Sequence, residues 1–190
     1  MLGEYVLVCK GSFINKAPIG AYINKDIAKI YLYEGSHTYE ILKENNYFSL
    51  NVVEPIDLAK ALISDEDDYL FNKDIPFLKN SFYSIFYEIF ERKSFERKDR
   101  FGKAKVMVIK AKEIDRIYFN KVPKPYNRGS SLLVELSVLY SRLIKYEDEE
   151  LMEEFLSLYK KVKRLGNKEC RALADLLLSK LRERYANENL

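Results

Sequence analysis

A chain of 190 residues with 47% hydrophobic residues can bury one well-packed domain and a helical addition, and its net charge of +3 is a small difference among many charges of both signs. That balance excludes an acidic disordered chain and argues against a polybasic tail. No run approaches the ~18 apolar residues of a membrane helix, and the opening MLGEYVLVCKG is a strand-like run broken early by Glu4 rather than a basic leader with a long apolar core, so a cytoplasmic, membrane-free protein is expected. The two cysteines, Cys9 and Cys170, lie far apart, give neither a metal-ligand spacing nor a disulfide framework, and read as buried thiols of a reducing compartment.

From Glu4 to Phe119 the apolar stretches are short and rich in Val, Ile, Tyr and Phe. They predict strands at YVLVC, AYI, IAKIYLY, YFSLNVV, FYSIFYEIF and AKVMVIKAKEIDRIYF. The last two flank the charged segment RKSFERKDRFGK and so form a long antiparallel hairpin with that segment as its solvated tip. Short helices are expected from Tyr39 to Asn45 and from Ile56 to Ser64, the latter opened by Pro55 in the first-turn position that proline favours. NKVPKPYNRG, with two prolines and a glycine, reads as a linker, which divides the chain into a sheet domain over 1–120 and a linker with helical domain over 121–190. Beyond it three helices follow from the spacing of Leu132, Leu136, Leu139 and Leu143, of Leu151, Phe155, Leu158 and Val162, and of Leu173, Leu177, Leu181 and Tyr185. Gly166 is placed to end the second in a left-handed conformation and Asn167 to cap the third.

The most informative stretch is Ala17 to Val53, in which two strands, the turn GSHTY, a short helix and another strand follow one another closely. At that turn Gly35, Ser36, His37 and Thr38 stand where a helix begins, and a helix N-terminus offers free backbone N–H groups and a positive dipole end to an anion. The bland alternative is that Ser36 and Thr38 only cap the helix. His37 is the sole histidine, yet no Ser, Cys or carboxylate pattern around it marks a triad or a metal site, so neither a catalytic residue nor a metal is assigned. Basic residues of the charged segment, from Arg92 to Lys103 with Phe95 and Phe101 between, raise nucleic acid as a partner; Glu91, Glu96 and Asp99 dilute them, and a nucleic-acid partner is not expected.

APIG, the GSHTY turn with its helix, and FSLNVVEP resemble the sheet region of the flavin-reductase-like FMN-binding split barrels. With the later stretch NRGSSLLVELSVLYSRL, the chain is similar, more narrowly, to the mainly archaeal domain-of-unknown-function family numbered 447, in which such a barrel carries a helical C-terminal segment. The chain departs from that pattern where GSFINKA leaves Asn15 as the only candidate for an expected Asn, and where Cys9 stands near a common Thr. The resemblance implies a mostly β fold with α, an FMN-binding split β-barrel followed by a C-terminal helical bundle, and FMN as cofactor. It implies a site formed by Ala17, Pro18, Ile19, Gly20, Ser36, His37, Thr38, Tyr39 and Asn51, with Arg128 and Arg142 holding the phosphate or the electron-rich edge of the ring. For Asn51 the strand alternation alone leaves open a role in satisfying buried backbone, and for Glu135 and Arg142, seven residues apart on nearly the same helix face, a surface or buried ion pair with other partners. It also implies a homodimer and, for an oxidoreductase, a transient NADH or NADPH donor, since no dinucleotide fingerprint is present. The alternative function is a flavin-holding or interaction module without turnover of its own.

Overall fold

The computed structural model describes residues 2–64, 67–99, 102–125 and 127–188. They form two compact units, one of residues 1–53 and 64–123, the other of residues 54–63 and 124–190. Among the described residues no helix is long and apolar enough to cross a membrane.

The first unit is a closed antiparallel barrel of six strands in the order β1-β2-β3-β8-β7-β4. These are β1 (Leu2–Lys10), β2 (Ile14–Asn24), β3 (Ile27–Tyr33), β4 (Tyr47–Val52), β7 (Tyr83–Asp99) and β8 (Gly102–Tyr118), with α1 (His37–Glu44) between β3 and β4. Tyr5, Leu7 and Cys9 alternate into a core shared with Ile30, Leu42, Phe48, Leu50, Tyr87 and Ile109. Val6 and Val8, on the opposite side of β1, are equally buried. Two faces are covered, so the strand reads in sequence as one continuous apolar run rather than an alternation.

The outer cover is a hairpin absent from the predicted elements, β5 (Tyr69–Asn72) and β6 (Ile75–Leu78), of which β6 packs over β1 and β4. Its two-residue turn, Lys73 and Asp74, has positive φ at both positions (47° and 67°). Such a turn is usually marked by Asn-Gly or Asp-Gly, and here that mark is missing.

The charged segment expected as a hairpin tip is instead mostly strand. β7 runs on to Asp99 and β8 starts at Gly102, paired in register as far as Asp99↔Gly102. Alternation of cross-strand partners carries the ladder through the charges, and register shifts between Phe86 and Tyr87 and between Ile89 and Glu91 absorb the irregularity that leaves Phe90 58% exposed. Arg100 and Phe101 lie outside the described residues.

The second unit gathers α2 (Pro55–Lys60), α3 (Arg128–Leu143), α4 (Glu149–Leu165) and α5 (Lys168–Glu188), with α2 packed on α3 and α5. Leu133, Leu136, Leu143, Leu151, Phe155, Val162, Leu177 and Leu181 supply its core. Asn127, Asp148 and Asn167 each accept a hydrogen bond from the backbone N–H three residues on, capping α3, α4 and α5. Gly166 does not take the left-handed form: its φ of −76° and ψ of 153° are extended. Space, not chirality, requires a glycine there, because a Cβ on it would lie 2.7 Å from the Val162 carbonyl oxygen, and one on Gly129 would lie 2.3 Å from the Gly166 Cα. Both cysteines are buried.

Candidate functional site

Two walls meet in the barrel unit. The first is the edge of β2. Residues 14–22 pair with β1, whereas pairing with β3 covers only Ala21 to Asn24, so Ile14 to Gly20 present an edge that no described strand covers. Ala17, Pro18, Ile19 and Gly20 lie on this open edge, where proline is tolerated and where backbone N–H and C=O groups remain for another partner. Lys16, with a side chain only 3% exposed, anchors this stretch through an ion pair of 2.8 Å to Asp67.

The second wall is the turn into α1. Gly35 has a φ of 84°, a conformation that suits glycine, and it brings Ser36 to the cap position. The Ser36 hydroxyl accepts from the Tyr39 N–H at 3.2 Å and donates to the Tyr33 carbonyl at 2.9 Å. The N–H groups of His37 and Thr38 have no acceptor among the described residues. Arg92 braces the other end of the helix, donating to the carbonyls of Leu42 and Asn45 and to the Asn46 side chain, each at 2.8 Å. Arg92 thus satisfies carbonyls that a helix C-terminus leaves unpaired.

Asn15 joins the walls. It sits on β2 two residues before Ala17, and its amide donates to the buried Thr38 hydroxyl at 2.8 Å. Nearby, the rings of Phe13 and His37 meet edge to face with centroids 5.5 Å apart. Asn15 also hydrogen-bonds Cys9, whose thiol is pushed up to about 12 by burial, an effect that this hydrogen bond only partly offsets; Cys9 is therefore an un-ionised packing residue at neutral pH.

The remaining predicted residues fall elsewhere. Tyr39 is 3% exposed with its ring in the barrel core, and it serves the turn through its backbone. Asn51 lies on the covered outer side of β4 and is fully engaged with protein. Its amide donates to the Val6 carbonyl (2.9 Å) and the Ser49 hydroxyl (3.0 Å), and its carbonyl accepts from the Leu78 N–H (3.0 Å) and the Ser84 hydroxyl (2.7 Å). Arg128 and Arg142 are exposed on α3, in the helical unit. Lys105, not singled out in the sequence, stands beside the turn in an ion pair of 3.4 Å with Glu34, which holds its ammonium more firmly protonated. An open cleft of about 460 Å³ runs along α1, but Glu40 and Glu44 line it and make it unsuited to an anion.

The closed six-stranded antiparallel barrel, with the first part of β2 left uncovered beside a helix N-terminus, shares its fold with flavin-reductase-like proteins of known structure. The chain belongs to the family described as protein of unknown function DUF447: the family's N-terminal domain matches residues 3–120 and its second part residues 127–179. An uncharacterized protein of Methanocaldococcus jannaschii is 46% identical over 189 residues, covering 95% of this chain and 98% of its own. Among solved structures, an FMN-bound protein of the same family from Methanosarcina mazei aligns with a TM-score of 0.78 at 21% identity, over 94% of each chain. A flavin reductase domain protein from Arthrobacter sp. FB24 aligns at 0.51 with 10% identity, over 66% of this chain and 91% of that one. Flavoredoxin from Methanosarcina acetivorans also aligns at 0.51, with 12% identity over 65% and 72%.

Proposed function

We propose that this chain is an FMN-binding protein of oxidoreductase type that works as a homodimer. The observation that carries the reading is the Asn15–Thr38 hydrogen bond, which fixes an open strand edge of small residues beside a helix N-terminus with two free N–H groups. The phosphate dianion suits those N–H groups, with the dipole of α1 adding favourable charge. The flat ring suits the edge at Ala17 to Gly20, whose backbone groups match the donors and acceptors of the pyrimidine rim. The family likeness carries Arg128 and Arg142 as further proposed guanidinium contacts to FMN. Asn51 acts in this reading as scaffold, holding β6 against β1 and β4.

When bound, FMN supplies hydride and electron transfer itself, so the protein need only bind, orient and tune it. In this reading His37 contacts the ligand's rim, has no carboxylate or thiol beside it in sequence to fix its tautomer, and is assigned no proton transfer. The FMN-bound relative of the same family and the flavin reductase among the structural neighbours support the cofactor and the reaction class, and the latter makes a transient NADH or NADPH donor the natural one to test.

The test is an absorbance spectrum of the purified protein incubated with FMN and desalted, followed by NADH or NADPH oxidation. Retained bands near roughly 370 and 450 nm support the cofactor. Their absence at saturating FMN refutes it, and retained bands without nicotinamide oxidation leave a flavin holder rather than a reductase.

A further inference from the structure

Beyond Phe95, β7 and β8 leave the barrel as a two-stranded ribbon, since β3 accompanies β8 only from Val106 onward and β4 accompanies β7 only as far as Glu88. Near its end Lys98 stands directly opposite Lys103. Like charges at opposed positions of an antiparallel pair destabilise it. Among the described residues Glu96 reaches Lys103 at 3.9 Å, with both side chains more than 70% exposed.

The start of α4 carries the opposite imbalance. EDEELMEE, residues 147–154, holds six acids, and Glu149, Glu150, Glu153 and Glu154 are all exposed. Glu149 with Glu153 and Glu150 with Glu154 are like-charge pairs at i, i+4, each unfavourable within the helix. The dipole favours the acids of the first turn only, so Glu153 and Glu154 gain little from it. Glu149 and Glu153 point away from the buried Leu151, Phe155 and Val162 and so form an outward acidic stripe.

We infer that the ribbon of one copy docks on the α4 stripe of a second copy, Lys98 and Lys103 against Glu149 and Glu153, reciprocally in the homodimer. Each element carries a local like-charge penalty that the other neutralises, and charge complementarity of this kind selects partner and register. The inference rests on the homodimer reading above but uses none of the residues assigned to the flavin.

The test is a charge swap on the full chain, read by light-scattering mass across a dilution series. Lys98→Glu/Lys103→Glu and Glu149→Lys/Glu153→Lys are each expected to weaken self-association on the order of 100-fold, because each places like charges at both contacts. An equimolar mixture of the two variants is expected to restore a dimer within roughly tenfold of wild type, since both contacts are then again opposite in sign. Circular dichroism shows that the variants are folded, and FMN binding by each variant shows that the barrel site is intact. Unchanged dimerisation of both variants overturns the docking and leaves the homodimer standing. A monomeric wild type at all concentrations overturns both. If the mass is unchanged while binding of a fluorescent oligonucleotide is lost with the ribbon variant, the ribbon serves a nucleic acid and the inference is wrong.

Discussion

Tyr87 carries a phenolic hydroxyl that is fully buried and has no hydrogen-bond partner among the described residues, while its ring stacks on Phe48 at 5.4 Å. Burying a hydroxyl without a partner costs about 1–3 kcal/mol. Removing the one oxygen gives up only a few dispersion contacts of ~0.1–0.2 kcal/mol each. Tyr87→Phe is therefore expected to stabilise the barrel by about 1 kcal/mol at pH 7. The pH dependence gives a second reading with a defined sign. Burial raises the Tyr87 phenol above its ordinary value of 10.0, with the Glu113 charge adding to the shift. Above about pH 10 the unfolded chain releases this proton while the folded chain keeps it, so wild-type stability falls as pH rises, by up to about 1.4 kcal/mol per pH unit for this one group. Tyr5, also raised by burial, adds the same trend to both proteins, so the difference between them isolates Tyr87. Urea unfolding followed by the near-ultraviolet dichroism of the tyrosines, at pH 7 and pH 11, measures both effects; the phenylalanine variant should lead at pH 7 and widen its lead at pH 11. Destabilisation by more than about 1 kcal/mol at pH 7 would show that the hydroxyl has a partner, and would refute the reasoning.

Asn51→Ala removes four buried hydrogen bonds, although the Ser49 and Ser84 hydroxyls keep the Pro76 carbonyl and Ser81 as partners, and should cost about 2–4 kcal/mol in urea unfolding, with FMN affinity of the folded protein unchanged; a loss of FMN affinity without a loss of stability would return Asn51 to the ligand. Gly129→Ala forces a Cβ onto the Gly166 backbone and should lower the unfolding free energy of the helical unit by about 3 kcal/mol, measured by urea unfolding followed by far-ultraviolet dichroism, whereas a neutral effect would show that α3 and the end of α4 can separate freely. His37→Gln should keep any nicotinamide-driven flavin reduction within roughly tenfold of wild type at saturating FMN, because loss of a true general acid or base costs 10²–10⁴-fold; a larger drop with FMN still bound would give His37 a chemical role.

The barrel strands β1, β3 and β4 were legible because β-branched and aromatic runs end at clear turns, and the helices because leucines recur at three and four; of β2 (Ile14–Asn24) only Ala21 to Ile23 was legible, since Asn15, Lys16, Pro18 and Gly20 break the apolar run before it. The β5–β6 hairpin was not, since four-residue strands joined by Lys73 and Asp74 carry neither a long pattern nor a glycine. Charge hid the outer half of the β7–β8 ladder: alternation persists there, but its residues face water on both sides. Of the site, Ser36 was legible as a helix cap, and it is one. The direction of the Asn51 side chain depends on β6, so a sequence without β5 and β6 showed a polar residue facing away from apolar neighbours and nothing to receive it. Asn15 drew notice only through the family likeness, because its bond to Thr38 spans 23 residues and no local spacing announces it.

The central claim is that the N-terminus of α1 receives a phosphate. His37 is exposed in the first turn, so His37→Glu sets a carboxylate beside the proposed dianion without disturbing the buried Thr38. Titrating FMN and riboflavin into wild type and His37→Glu separates phosphate recognition from ring recognition. The account predicts that FMN affinity falls roughly tenfold or more while riboflavin affinity stays within about twofold. Equal FMN affinities in the two folded proteins, or equal losses for FMN and riboflavin, would contradict it.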